Sequence, residues 1–368
     1  MKLTVNVQQQ REELYGEGVL RQSSPLGDDD SIAQQYGADN GKVLIAIREL
    51  MRVFTNQIKV FPELEDIIIT DDSSFQVFYR SDTSGCTAYL SSGAIIRYFN
   101  FISYALSCYD VLPGFHPILR DQERKFNMAD ELIEKMMEPK LTSIGGVSDE
   151  HGMLSTAIVM SGLLSMVCHE IIHIARNHAS MLRPFFISQP DEVRTTISKS
   201  RQTEFTNIRL RDYETASFYR AIELEADYHS WPNALERSKI LCAILEEYSY
   251  TIYDPYELFV IGLYSVHICH SHYEASNLDI DMDLGTTFRT HPTTHNRLLF
   301  MRRMLVHLLN NRAFPEEDTS RLMAALDKVV NGFGGCKPYP IPAYDVMQLK
   351  DQEIMLKDFE NFRKIASI

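Results

Sequence analysis

The chain has 368 residues, 45% of them hydrophobic, with 36 Lys and Arg against 50 Asp and Glu for a net charge of −14. That size and apolar content supply one large core or two ordinary ones, and exclude a disordered chain or a multi-span membrane protein. The acidic balance argues against a nucleic-acid or anionic-membrane partner, because neutralising phosphates takes clustered cations.

The first residues, Met1-Lys2-Leu3-Thr4-Val5-Asn6-Val7 and then Gln8-Gln9-Gln10, lack an apolar core of signal-peptide length. Residues 1–40, rich in Gln, Gly and acid, read as an N-terminal tail, either mobile or ordered only against the main body. An amphipathic helix is expected over 43–55, with Val43, Leu44, Ile47, Leu50, Met51 and Phe54 on one side. Three β-rich runs follow at 66–70, 75–79 and 86–90, separated by Asp71-Asp72-Ser73-Ser74 and Ser81-Asp82-Thr83-Ser84-Gly85. The third run is the candidate edge strand, with Thr87 and Tyr89 as substrate-binding positions, because a sheet edge can pair with an extended peptide. An ordinary sheet carrying no ligand fits the same pattern.

Helices are then expected over 94–109, near 130–137, and over 148–180. Residues 182–212 read as a loop holding Arg194, Lys199, Arg201, Arg209 and Arg211, as a solvated linker or a substrate-steering rim. A helix over 213–230 should stop at Trp231-Pro232. Further helices are expected over 235–248 and 255–272, after Thr290-His291-Pro292, and over 316–330 and 344–365. The whole is an α+β fold, mostly helical, with a small sheet. Six scattered cysteines without a CxxC pair read as reduced thiols, which suits a cytoplasmic setting. The apolar run 153–168 is short for a membrane span and interrupted by Ser155, Thr156, Ser161, Gly162 and Ser165, so no span is expected.

Inside the 148–180 helix lies His169-Glu170-Ile171-Ile172-His173. Residues four apart on a helix share a face about 6 Å apart along the axis, so His169 and His173 can offer two imidazole nitrogens to one Zn²⁺. Glu170 projects between them, where a carboxylate can act as general base. Steps of three and four from His169 pass through Gly162, Ser165, Met166, Arg176 and Asn177, a stripe suited to the floor of a wet cleft. Two core histidines with a chance glutamate are the plainer alternative.

A catalytic zinc needs a third protein ligand. In Glu223-Leu224-Glu225-Ala226-Asp227 the outer carboxylates are four apart and share a face, whereas Glu225 faces away. Glu223 is therefore assigned as the third ligand and Asp227 as the carboxylate that orients a ligand histidine. A solvated acidic helix face would look similar. The rival group His267, Cys269, His270 and His272 sits in an apolar helix and reads as core or cleft wall.

Together, His169-Glu170-x-x-His173, Glu223-x-x-Ala226-Asp227 and Thr290-His291-Pro292 with Arg297 resemble the motif series of the HtpX-type zinc peptidases, a gluzincin family. The similarity runs from about residue 66 to 300. In having no expected span the chain is more similar to the soluble phage-exclusion peptidases of the Lit type, which act inside bacteria on a host translation factor, than to the membrane-embedded members. The resemblance implies a zincin-like peptidase domain over 41–312, with the sheet packed on the active-site helices and a helical extension over 313–368. It implies a zinc-dependent endopeptidase, latent or regulated, cutting an intracellular protein and open to an activating partner. It places His169, His173 and Glu223 on zinc, Glu170 as base and Asp227 behind a ligand. It also puts His291 near the reacting carbonyl as a hydrogen-bond donor, and Arg297 on the cleft wall or on substrate carbonyls. His291 and Arg297 serve equally well as caps of the helix they begin. A zinc-stabilised binding or scaffold protein with a vestigial or occluded site is the alternative from another class.

Overall fold

The computed structural model describes residues 24–57, 59, 61–73, 75, 77–81, 86–108, 149–176, 178, 213–247, 254–277, 316–332 and 357. Several expectations lie outside these: the helices near 130–137, after Pro292 and over 344–365, the 182–212 loop, and the residues His291 and Arg297.

Asp28 starts the first helix by accepting a hydrogen bond from the Ser31 backbone N–H at 2.9 Å, an N-cap that satisfies an orphan donor. Helix α1 (Asp29–Tyr36) ends at Gly37, whose φ of 82° is open to glycine alone without strain, and α2 (Ala38–Arg52) departs in a new direction. In α2 the buried residues Leu44, Ile47 and Met51 recur at helical spacing, as the sequence pattern requires. The segment ahead of α1 is laid on the sheet: the Leu26 N–H donates to the Ile69 carbonyl and the Asp71 N–H to the Ser24 carbonyl.

The strands are β1 (Asp66–Thr70), β2 (Val77–Ser81) and β3 (Cys86–Ser91), in the order β1-β3-β2. Strand β3 runs parallel to β1, with Ile67 opposite Ala88, and antiparallel to β2, with Val77 opposite Leu90. This corrects the edge-strand assignment. The strand carrying Thr87 and Tyr89 is paired on both sides and offers no free edge to a peptide backbone. Burial explains the order. Ala88 and Leu90 are fully enclosed, so β3 takes the centre, while β2 takes an outer place. The Tyr89 ring stacks on its cross-strand partner Phe78, with centroids 5.0 Å apart.

Ser91 caps α3 (Ser92–Cys108) by accepting from the Ala94 N–H at 3.2 Å. At the centre lies α4 (Asp149–Ala175), packed against α3, α5 (Tyr213–Glu247), α6 (Pro255–Asn277) and strand β2. Helix α7 (Glu316–Gly332) closes over α6. Lys239 on α5 ties to Asp318 on α7 at 2.9 Å, and the Tyr256 hydroxyl of α6 donates to the same carboxylate. The stretch Gly152–Ala175 is long and apolar enough to cross a membrane, but 72% of its most apolar window is covered by the protein's own elements.

Two details depart from the sequence pattern. First, α5 runs straight through Pro232 instead of stopping there. An interior proline costs about 3 kcal/mol. Burying two large side chains returns about 1.5–3 kcal/mol each, and Trp231 and Leu235 are both enclosed here. Asn233 also donates to the His229 carbonyl at 3.3 Å beside the proline.

Second, the small stripe on α4 approaches solvent only in its last turns. Gly162 and Ser165 are buried in a helix–helix seam. There the Tyr98 hydroxyl donates to the Gly262 carbonyl at 2.9 Å and lies 2.7 Å from Ser265 Oγ, while Ser161 and Ser238 share a hydroxyl hydrogen bond of 2.8 Å. A Cβ on Gly262 would sit 2.7 Å from the Gly162 backbone nitrogen. Gly262→Ala therefore forces α4 and α6 apart, and the cost of overpacking, about 1–3 kcal/mol, exceeds the gain of about 1 kcal/mol in helix propensity. A lowered urea midpoint for that variant is the expected result.

Candidate metal centre

Helix α4 carries His169 and His173 in its last two turns, and α5 packs against it with Glu223 facing them. The His169 and His173 Nε2 atoms lie 3.0 Å apart, His169 Nε2 lies 3.2 Å from Glu223 Oε2, and His173 Nε2 lies 3.6 Å from Glu223 Oε1. Zinc bonds of 2.0–2.1 Å in a tetrahedron require ligand atoms about 3.3–3.4 Å apart, so the three groups already stand at the right separation. Their side chains are 12%, 12% and 11% exposed, close to solvent yet mostly enclosed. This buried set can hold a metal ion.

The charge around it agrees. His169 Nδ1 lies 2.8 Å from Asp227 Oδ1, so Nδ1 donates to that carboxylate and Nε2 is the nitrogen a cation would take in place of a proton. Burial opposes a positive charge on His169, but the Asp227 and Glu223 carboxylates outweigh it and raise its pKa to about 10. A cation is what this pocket is built to stabilise. Asp227→Ala leaves His169 Nδ1 without its acceptor, and metal affinity should fall about 10–100-fold in a chelator competition.

Glu170 sits half-buried beside His169 on α4. The residue on the other side of His169, Cys168, points into the core, where burial pushes the thiol up to about 12 and leaves it a poor metal ligand.

Glu225 does face away from Glu223 and Asp227, but not into solvent. Its Oε1 lies 2.6 Å from Arg176 Nη2 and 3.2 Å from His229 Nε2, and its Oε2 lies 2.8 Å from His178 Nε2. Burial would raise its pKa, but contacts with His178 and His229 hold the carboxyl below its usual range. His178 in turn meets His173, Nδ1 to Nδ1, at 2.9 Å. Sequence reasoning missed His178. The available signal was a third histidine five positions past the pair.

The structure thus gathers His169, His173, Glu223 and Asp227 at one place. Thr87 and Tyr89 lie on the central strand, and His291 and Arg297 lie outside the described residues. Of the rival group, Cys269 is fully enclosed and His270 packs against the Phe75 ring at 5.2 Å. Among the described residues no other cluster has metal-ligand spacing. Comparisons with protein-family models, curated proteins and solved structures give no match to this chain.

Proposed function

We propose that the protein is a zinc-dependent metalloendopeptidase with a zincin-like core, acting on a protein or peptide substrate in the cytoplasm. The carrying observation is the separation of 3.0–3.6 Å among two imidazole nitrogens and a carboxylate on two packed helices, next to a glutamate that is not part of that set. Zinc, when bound there, supplies Lewis-acid polarisation of a water and of the scissile carbonyl. His169, His173 and Glu223 would hold it. Asp227 fixes the His169 ring. Glu170 takes the proton of the attacking water and returns it to the leaving amine, a role its place beside His169 on the same helix supports. An extended substrate would lie along outer strand β2, which packs against α4, rather than along β3.

Profiling of new protein N-termini in cells tests this, comparing wild type with Glu170→Gln. N-termini that depend on Glu170 are expected, and they also identify the substrate. If zinc binds and no such N-termini arise, the protein is instead a zinc-stabilised binding protein with a closed site.

A further inference from the structure

We infer that His178 is a positioning residue of the metal centre, ordering the second ligand, His173, by accepting the proton of its Nδ1 while the Glu225 carboxylate stands against its other nitrogen. This rests on the metal-binding half of the proposed function. When His173 gives its Nε2 lone pair to a cation, its one ring proton must sit on Nδ1. The atom 2.9 Å from that Nδ1 is Nδ1 of His178. Two facing ring nitrogens can share only one proton, so His178 accepts there and carries its own proton on Nε2. That nitrogen lies 2.8 Å from Glu225 Oε2, a charge contact rather than an aligned hydrogen bond. The place of both ring protons follows from the metal end.

Three further observations fit this order. The Arg176 and His229 side chains both lie on Glu225 Oε1, which leaves Oε2 to His178. The side chains of His178 and Glu225 are only 2% and 3% exposed, so water does not replace either partner cheaply. The ring centroids lie 4.9 Å apart with the planes at 80°, an arrangement compatible with the two nitrogens facing each other edge to edge. The topology explains why an intermediary is used. Helix α5 sends Glu223 to the cluster and Asp227, one turn on, to His169. Glu225, two residues from each, emerges from another side of the same helix, and the His178 ring spans the distance to His173. An imidazole whose Nδ1 proton is accepted in this way is both fixed in rotation and a stronger metal donor.

Zinc affinity measured by chelator competition, with the visible spectrum of the cobalt(II)-substituted protein, separates this from simple packing. His178→Leu should bind one zinc about 10–100-fold more weakly and alter the cobalt spectrum. His178→Gln, whose amide carries both an acceptor and donors, should recover most of the affinity. Glu223→Ala serves as the ligand-loss control. Wild-type affinity in His178→Leu overturns the proposal. So does a Gln variant as weak as the Leu variant, since the loss is then one of packing. A wild type that takes no zinc, or a Glu223→Ala variant that binds as wild type does, overturns the metal centre itself and the proposal with it.

Discussion

Glu170→Gln is expected to retain its zinc and lose about 10²–10⁴-fold in peptide cleavage. The substitution keeps the length and shape of the side chain, but a neutral amide cannot take a proton from water at ordinary pH. No ligand is touched. The three convergent groups belong to His169, His173 and Glu223, and Glu170 stands beside them on the half-buried side of α4. Elemental analysis should give equal metal content in the two proteins, and cleavage of a peptide library should fall in the variant alone. Cleavage at the wild-type rate removes Glu170 from the role of base.

Glu223→Ala should act at the other end of the chemistry, abolishing the response to metal. Two imidazoles 3.0 Å apart remain, but the carboxylate that closes the third corner is gone. For the wild type, zinc at about 1,000 times its dissociation constant stabilises the fold by about 4 kcal/mol over the chelated protein. In a chain of this size that amounts to a rise of several degrees in Tm. The variant should melt at the same temperature with zinc and with chelator. A full zinc-dependent rise in Glu223→Ala would take Glu223 out of the ligand set.

What could be read from the sequence was whatever repeats along a single helix. The stripe of α2, the length of α4 and the shared face of His169 and His173 follow from a period of 3.6 residues, and so does the shared face of Glu223 and Asp227. What could not be read depends on partners distant in the chain. Three strands in sequence give no sign that the third inserts between the first two, because pairing is decided by which strand the rest of the core encloses. Pro232 carries a local stop signal, overridden by the burial of Trp231 and Leu235 on either side. Glu225 was correctly turned off the metal face, yet its contact with His178 joins residues from two helical segments and no spacing rule encodes it.

The hydroxyl and glycine seam of α4 reaches beyond stability. A helix lined mainly with aliphatic side chains can slide or roll against its neighbours at little cost, since such contacts lack direction. The Ser161–Ser238 bond, which ties α4 to α5, removes that freedom, locking pitch and azimuth two turns upstream of His169. The ångström tolerances of a coordination sphere are therefore set by groups that never approach the ion, and an exchange of serine for alanine in that lock should loosen the grip on metal while leaving every donor atom in place.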